Sequence, residues 1–455
     1  MEIDSNKNKK VLLISFHFPP YNDVAAVRIG KFAKYLADYG WEPIVLTVNN
    51  RLGIPRTLPV EINESKIVRT PYYAFFDVLS QAYRRINNQK SGNKSSGSQE
   101  KGIRNGSLDL KMYRLFESSF RLPVIEKFIF DPIGWYKPAV KAGLETINSN
   151  DIKIIFSSYS PSVSHFIAAR LHQETGIPWV ADYRDDWAGN YKEYHPQPLY
   201  YFDRQWEKHT LKYSDALVSI NHPLAKILEN SHHKIPTVIP NGFDDADFKN
   251  SVSLTSKFTI TYTGGIWGKR DPSLIFQAFS EIKKEGKLSS EDIEIRFFGH
   301  SVNNDISPII AKYNVQDFVK LGGSIPYKES IKKQMESSVL LLLSWNDPRD
   351  AGTTTGKIYE YLGANRPILA MAYPGGEIDK LLRQSGCGIV VNDSDEIKRL
   401  ILAWFDEFKR TGRISAHFQP NHNIINSYTR KEQTRSLASV FDKLSICGEK
   451  TNEVG

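Results

Sequence analysis

Short apolar runs alternate with amphipathic stretches along most of the chain. Runs bounded by turn residues predict buried strands, because parallel strands that are covered on both faces carry continuous apolar sequence. The runs fall at 10–15, 41–48, 67–71, 151–156, 177–181, 213–220, 258–263, 293–299, 319–327 with its turn, 339–344, 368–371 and 388–391. Helical spacing of apolar residues lies at 27–39, 135–147, 165–171, 199–211, from 221, and at 273–284, 331–337, 375–383, 395–408 and 430–444. This alternation predicts α/β domains with doubly wound parallel sheets.

The stretch 350–370 carries the strongest chemical signal. The buried strand 339–344 leads into a loop of Asn, Asp, Pro and Gly, and a helical pattern follows. Thr354 and Thr355 are residue types that cap helix N-termini, and Gly356 lets a ligand approach the backbone. A helix that starts after a parallel strand offers unpaired N–H groups and the positive end of its dipole. The stretch therefore predicts a phosphate site.

Two charged residues at the start of this helix extend the prediction. Lys357 adds positive charge beside the expected phosphate. Glu360 lies three residues on, so the two side chains are neighbours on the helix surface, and Glu360 can accept hydrogen bonds from sugar hydroxyls. The site that results is suited to a nucleoside diphosphate with its ribose.

A second candidate phosphate loop follows the strand 258–263. Gly264 and Gly265 let the backbone approach a pyrophosphate, and Lys269 and Arg270 supply positive charge. A plain strand-to-helix turn with surface charges is the alternative. The occurrence of a matching helix start around Gly356 favours phosphate binding.

The stretch 350–370 resembles the donor-binding segment of GT-B glycosyltransferases, specifically the large retaining family four. The matching residues are Gly356, Lys357, Glu360, Tyr361, Leu362, Arg366, Pro367 and Ile368. The loop 264–272 and the Pro-Asn-Gly-Phe-Asp run at 240–244 are also similar to family motifs. Many members carry a second Glu eight residues before the ribose Glu; here that position is Gly352, and Asp350 is the nearest acid.

The resemblance implies a fold and a reaction. It implies α/β architecture of the GT-B type, with two Rossmann-like domains facing a central cleft. It also implies retaining transfer of a sugar from a nucleotide-sugar, with uridine as the base, to a glycan or lipid-linked acceptor in cell-surface polysaccharide synthesis. Under this interpretation Lys269, Arg270, Lys357 and the helix start neutralise the leaving diphosphate, so no metal ion or cofactor is expected.

Candidate catalytic residues cluster in the first half. Asp182, Arg184 and Asp185 follow the strand 177–181, and a hydroxyl-rich loop at 157–164 follows the preceding strand. Ligands of open α/β sheets bind outside the carboxyl ends of strands. The interpretation is therefore that the cluster lines the cleft, where an Asp orients or deprotonates the acceptor hydroxyl. The alternative is an Arg–Asp pair that fixes the loop.

The loop after the first strand adds His17, which is better placed for catalysis than the core or helix-surface residue His165. Family members carry a glycine-rich turn in this loop that faces the donor phosphates. Here the turn 22–26 has no glycine. Arg28, at the start of the next helix, is either its substitute or a surface residue.

The expected domains are 1–245, which binds the acceptor, and 246–430, which binds the donor. The segment 431–455 is expected to be a helix that crosses back to the first domain, followed by a tail. The segment 87–107 is rich in Ser, Gly, Asn and Lys and predicts a disordered insertion. The aromatic and basic segment 108–135 predicts either a membrane-interface element or a helical pair packed on its own domain.

Bulk properties narrow the setting. The 455 residues, of which 40% are hydrophobic, suffice for two cores, and the net charge of +8 fits an anionic substrate, membrane surface or nucleic acid. Because residues 1–10 are polar, we expect no signal peptide, and no apolar run of the sequence is long enough to span a membrane. We expect a cytoplasmic protein with peripheral contact to the inner face of the membrane.

Three other functions stay open at this point. An epimerase or phosphorylase can use the same architecture, and the glycine at 352 leaves room for a transferase-like binding protein without turnover. The basic charge alone suggests a nucleic-acid binder, but the chain carries no nucleic-acid-binding motif, so no nucleic-acid partner is expected.

Overall fold

Two parallel sheets form the molecule. The computed structural model describes residues 8–49, 56–72, 133–188, 197–266, 268–299 and 302–452. The predicted insertion at 87–107 and the predicted amphipathic segment up to 132 lie outside the described residues. Within the described part, no helix combines the length and the apolar character needed to cross a membrane.

The first sheet has seven strands, in the order β3-β2-β1-β4-β5-β6-β7. The strands are Lys9–Ile14 (β1), Trp41–Val48 (β2), Ile67–Thr70 (β3), Ile152–Tyr159 (β4), Trp179–Tyr183 (β5), Ala216–Ser219 (β6) and Thr237–Val238 (β7). The helices are Val24–Tyr35 (α1), Tyr136–Ser149 (α2), Val163–Thr175 (α3), Gln197–Leu211 (α4) and His222–His232 (α5). The order reverses between β1 and β4, so the loops after these strands open onto one crevice.

The second sheet has six strands, in the order β10-β9-β8-β11-β12-β13. The strands are Phe258–Thr263 (β8), Ile293–Phe298 (β9), Val319–Gly323 (β10), Val339–Leu343 (β11), Ile368–Met371 (β12) and Gly388–Val390 (β13). The helices are Ser273–Lys284 (α6), Val302–Tyr313 (α7), Tyr327–Met335 (α8), Gly356–Ala364 (α9), Glu377–Ser385 (α10), Ser394–Thr411 (α11) and His422–Ser427 (α12). Here the order reverses between β8 and β11.

The sequence patterns explain these elements. All five residues of β11 are buried, as a strand covered by helices on both faces requires. Helix α1 begins at Asp23, whose Oδ1 accepts a hydrogen bond from the backbone N of Ala25 at 2.9 Å, and a short 3₁₀ turn then ends at Gly40 with φ of 79°. Helix α7 was not predicted, because Pro308 lies inside it.

The last helix, Arg430–Asn452 (α13), leaves the second sheet and packs on the first domain. The ring of Phe441 lies 5.2 Å from that of Trp41 and 5.9 Å from that of Phe156, centroid to centroid. The backbone N of Arg430 donates to the carbonyl of Phe243 at 2.8 Å, which ties the start of α13 to the segment between the sheets. The chain therefore returns to the first domain in α13.

Candidate active site

A cavity of about 390 Å³ lies between the two domains. The second domain lines it with the glycine loop after β8 and with the starts of α8 and α9. The first domain contributes Lys31 and the segment 241–244, and α13 contributes Arg430. The cavity thus lies outside the carboxyl ends of β8 and β11, where the strand order of the second sheet reverses.

The two predicted phosphate loops meet at Lys357. Its side chain lies across Gly264, and a Cβ placed on Gly264 would be 1.9 Å from Lys357 Cε. Gly264 also has φ of 122°, a backbone conformation that favours glycine. Lys357 Nζ donates to the hydroxyl of Tyr262 at 3.0 Å. Gly264 is therefore required both for the turn and for the position of the lysine.

Lys357 lacks an anionic partner in the part of the chain that the structure describes. Among the described residues it forms no ion pair, while Arg270 lies close enough to repel it. Burial and the charge of Arg270 lower the pKa of Lys357 to about 7, although Glu360 opposes the shift. Arg270 itself is held by the carbonyl of Gly265, which accepts from Nη1 at 3.2 Å. A bound diphosphate would supply the missing negative charge.

The start of α9 presents a further unused polar group. Thr355 is the N-cap, yet its side chain makes no capping hydrogen bond. Its Oγ1 is buried and has no partner among the described residues. Thr355 and Gly356 both border the cavity, so the hydroxyl and the N–H groups of the first turn are available to an anion there.

Glu360 borders the cavity one turn along α9. Its Oε2 accepts from Gln334 Nε2 at 3.0 Å, and Gln334 also donates to Thr263 Oγ1 at 3.1 Å. Burial raises the pKa of Glu360 above its ordinary value. A fixed, partly buried carboxyl at this distance from the helix start is suited to bind hydroxyl groups.

Three predicted donor residues do not border this cavity: Lys269, Asp350 and Thr354. Lys269 Nζ pairs with Asp347 Oδ2 at 2.9 Å, so its charge is directed to the loop before α9. Asp350 is buried and accepts from Ser344 Oγ at 3.3 Å. Thr354 Oγ1 lies 3.1 Å from the hydroxyl of Tyr359. These side chains stabilise the loop around the cavity instead of lining it.

The position of the absent acid, Gly352, contacts the first domain. Its carbonyl accepts from Asn221 Nδ2 at 2.9 Å. A Cβ at Gly352 would lie 3.0 Å from Pro223 Cβ, which is tight for any larger side chain. A glutamate at 352 would therefore displace the start of α5, and the glycine permits close contact between the domains.

The prediction that Asp182 lines the cleft is corrected by the structure. β5 continues to Tyr183, so Asp182 lies inside the strand and is fully buried. Its carboxylate accepts from Arg28 Nη2 at 2.8 Å, from Arg28 Nε at 3.2 Å and from Ser158 Oγ at 2.9 Å. Arg28 also donates to the carbonyls of Ile239 and Pro240, each at 2.9 Å. This pair joins α1 to β5, and Arg28 is neither a surface residue nor a phosphate ligand.

The other predicted catalytic residues follow the carboxyl ends of the central strands β1 and β5 and do not line the donor cavity. Arg184 donates to the carbonyls of Tyr159 and Ser160 at 2.7 and 2.9 Å and so fixes the loop after β4. Asp185 is exposed. His17 Nδ1 lies 2.7 Å from Asp23 Oδ2, so the carboxylate that caps α1 also orients the imidazole.

His165 is a core residue. It is fully buried, and its Nδ1 lies 2.8 Å from Ser157 Oγ. Burial lowers the pKa of His165 to about 3, so the ring is neutral at physiological pH.

The residues that the sequence analysis missed include Tyr262, which contacts Lys357, and Arg430, which borders the cavity. Tyr262 was counted as part of an apolar strand, although its hydroxyl binds Lys357. Arg430 was placed only in the last helix, because nothing near it in sequence shows that the helix start reaches the cavity. In the described part of the chain, no group of three or more His, Cys, Asp or Glu side chains could hold a metal ion.

Comparisons with known proteins agree with this architecture. The family model described as Glycosyltransferase Family 4 matches residues 109–247. The glycosyltransferase from Rickettsia africae ESF-5 is 13% identical, with a TM-score of 0.58 over 96% of this chain and 99% of that chain. No curated protein matches the chain by sequence.

Two further solved structures share the fold. Anabaena HepE, in complex with UDP-glucose, is 11% identical, with a TM-score of 0.55 over 95% of this chain and 99% of that chain. The pneumococcal O-GlcNAc transferase GtfA, in complex with UDP and GlcNAc, is also 11% identical, with a TM-score of 0.56 over 96% of this chain and 99% of that chain. The predicted GT-B architecture is confirmed: the chain has the fold of these glycosyltransferases, and residues 109–247 are similar to the family-four model.

Proposed function

We propose that the chain transfers a sugar from a nucleotide-sugar to an acceptor hydroxyl with retention of configuration, and that the cavity between the domains holds the donor. One observation carries the proposal: Lys357, which forms no ion pair within the described part of the chain, lies against Gly264 at the start of α9. This arrangement suits a diphosphate, because a lysine, an arginine and the N–H groups of a helix start can all bind its oxygens.

The reaction follows from that placement. The bond between the anomeric carbon and the phosphate oxygen breaks, and the acceptor oxygen bonds to the same carbon. The acceptor proton passes to the leaving diphosphate. Lys357, Arg270 and the first turn of α9 stabilise the negative charge that develops on the leaving group, a type of contribution that is worth about 10²–10³ in rate per donor group. Because these protein cations can stabilise the leaving group, we propose that the reaction needs no metal ion. Activity should therefore persist in the presence of EDTA.

We propose that the ribose of the donor binds beside Glu360 in the cavity. Glu360 is placed to bind ribose hydroxyls, since it lies one turn beyond the diphosphate position. Uridine is the base that we propose, because HepE and GtfA were each solved with a uridine nucleotide. Retention rests on the resemblance of residues 356–368 to the family-four motif.

The first domain supplies the acceptor side. We assign His17 and Asp185 to orientation of the acceptor hydroxyl, because His17 is held by Asp23 and Asp185 is exposed beyond β5. Asp182 and Arg184 act as positioning residues, since their side chains bind Arg28 and the loop after β4. Nothing in this assignment requires a charged aspartate in the donor cavity.

A lipid-linked glycan is the acceptor class that the first domain fits best. A groove of about 960 Å³ on that domain is lined by apolar rings and by basic side chains, including Phe166, Trp206, Lys137, Lys141 and Arg170. Trp206 is 49% exposed. Apolar rings beside basic groups suit an acyl or polyprenyl chain that carries an anionic head. We propose peripheral contact with the inner face of the membrane at this groove.

Donor binding should depend on pH through Lys357. Its pKa in the free protein is about 7, and a diphosphate raises that pKa toward the ordinary value. Below about pH 7 the amine is already charged, so binding takes up little proton; above it, binding takes up about one proton and affinity falls by up to about tenfold per pH unit. A nucleotide-sugar is the right probe, because it lacks the terminal phosphate ionisation of a free diphosphate.

Calorimetric titrations in two buffers of different ionisation enthalpy, at about pH 6 and about pH 8.5, measure this uptake. Lys357→Met is the control. It should bind the nucleotide-sugar weakly, and its proton uptake on binding should be the same at both pH values. Equal uptake by wild type and Lys357→Met would contradict the role of the lysine.

The function itself is tested in two steps. A thermal-shift screen with UDP, GDP and ADP sugars should give one base that stabilises the protein, and UDP is the expected one. Release of nucleoside diphosphate should then require an added acceptor, and a lipid-linked oligosaccharide should be a better acceptor than its water-soluble analogue. Interconversion without an acceptor would identify an epimerase, and binding without release would identify a binding protein. Inversion at the anomeric carbon, seen by NMR, would refute retention.

A further inference from the structure

Arg430 is a buried arginine at the first position of α13, and its side chain borders the donor cavity. The residue is only 5% exposed. The rest of α13 packs on the first domain, as the contacts of Phe441 with Trp41 and Phe156 demonstrate. The first domain's own cation at the cavity, Lys31, is paired with Asp244 and Glu61. Arg430 therefore brings a further cation, held on the first domain, to a cavity that Lys357 and Arg270 line from the second domain.

The guanidinium of Arg430 is poorly satisfied. Gln433 Oε1, which accepts from Nη1 at 3.0 Å, is its only side-chain hydrogen-bond partner among the described residues. The Nε atom is buried and has no partner among them. No carboxylate of the described chain lies within ion-pair distance of Arg430. Buried guanidinium groups are normally paired, so an arginine in this state calls for a partner that the polypeptide does not supply.

The electrostatic surroundings point to an anion. Burial and the positive charge of Arg28 lower the pKa of Arg430 to about 10, so the group stays charged at neutral pH but is destabilised. The carboxylate of Asp182 is paired with Arg28 at 2.8 Å, so it does not neutralise Arg430. An anion in the cavity would relieve both the missing hydrogen bonds and the repulsion.

We propose that Arg430 binds a phosphate oxygen of the donor diphosphate, as a third cationic ligand beside Lys357 and Arg270. The proposal rests on the function proposed above. Because α13 is seated on the first domain, the contact would make donor binding depend on both halves of the molecule. The fork of the guanidinium suits a phosphate better than a lysine ammonium would.

Arg430→Met tests the proposal in a direct binding measurement. The probes are UDP, GDP and ADP, together with uridine, guanosine and adenosine. For the diphosphate that binds the wild type, the variant should bind about 10- to 100-fold more weakly, the loss typical of a charge-assisted hydrogen bond. The matching nucleoside, which has no phosphate, should bind both proteins equally. Equal affinity of wild type and variant for the diphosphate would overturn the proposal, and so would an equal loss for the nucleoside.

The melting temperature separates binding from a structural role. If Arg430 serves a ligand, Arg430→Met removes an unsatisfied buried charge and should leave the unliganded protein as stable as the wild type or more so. Arg435→Met is the matched control, because Arg435 lies on the same helix, is exposed and pairs with Glu432. A lower melting temperature with unchanged diphosphate affinity would assign Arg430 to the fold instead.

If Arg430→Met does not fold, Arg430→Lys keeps the charge and loses the fork; it should bind the diphosphate more weakly than the wild type, and unchanged affinity would overturn the proposal. If the wild type binds none of the three diphosphates, the proposed function fails before Arg430 is tested. If the wild type binds a diphosphate and the Arg430 variant binds it equally well, the proposed function is retained and the proposed role of Arg430 is refuted.

Discussion

Replacing Lys357 with Met should reduce kcat/KM for sugar transfer by about 10²–10³ and leave the fold intact. The lysine lies against Gly264 beside Arg270, and in the proposed reaction the leaving diphosphate gains its charge there in the transition state. Steady-state kinetics with a lipid-linked acceptor measure the effect. The rate should fall more than donor binding weakens, because the diphosphate carries most charge when the glycosidic bond breaks.

Two controls make this result specific. Lys380→Met removes an exposed lysine that pairs with Glu377 on α10, and its activity should equal that of the wild type. Gly264→Ala keeps the lysine but places a methyl group where Lys357 Cε now lies, so it should lose a comparable part of the activity. Activity of Lys357→Met within a few-fold of wild type would refute the donor-site assignment.

Replacing Arg28 with Met should lower the free energy of unfolding by about 3–5 kcal/mol. Both partners of the Arg28–Asp182 ion pair are fully buried, so the single substitution leaves a carboxylate unpaired inside the protein. Denaturant titrations of wild type and Arg28→Met measure the loss. The double variant Arg28→Met with Asp182→Leu should recover part of it, since no isolated charge then remains buried.

An exposed pair provides the comparison. Lys141 and Glu145 lie 4.0 Å apart on α2 with side chains 81% and 67% exposed, and Lys141→Met should change stability by less than about 1 kcal/mol. The same series separates two roles of Asp182. If Asp182 were the acceptor base, the variant Asp182→Asn would lose turnover and keep the stability of the wild type. If Asp182 is a positioning residue, the main effect of the substitution should be a loss of stability.

The pairing of Gly264 with Lys357 could be predicted because topology dictates it. Each residue follows a strand of the second sheet, and β8 and β11 are neighbours at the point where the strand order reverses. The N-cap residue types Thr354 and Thr355 then identified the helix start, and Lys357 supplied the cation there. The apolar runs were long enough to locate both sheets, and the resemblance of residues 356–368 to a family motif predicted the GT-B architecture.

The sequence could not reveal side-chain partners that are distant in the chain. Lys269 appeared to be a phosphate ligand until Asp347, 78 residues away, was seen to hold it. Asp182 looked like a loop residue because the apolar run stops before it, yet β5 continues and Arg28 pairs with it from 154 residues away. Arg430 reaches the cavity only because α13 crosses the cleft, which composition and periodicity do not encode.

The central claim is that the cavity between Gly264, Lys357 and Glu360 holds the diphosphate and ribose of the donor. A crystal structure of the wild-type protein with the best-binding nucleoside diphosphate tests it most directly. We expect a phosphate oxygen about 2.7–3.0 Å from Lys357 Nζ and from an N–H group of the first turn of α9, with the ribose at Glu360. A nucleotide bound with its phosphates away from Lys357 would contradict the claim.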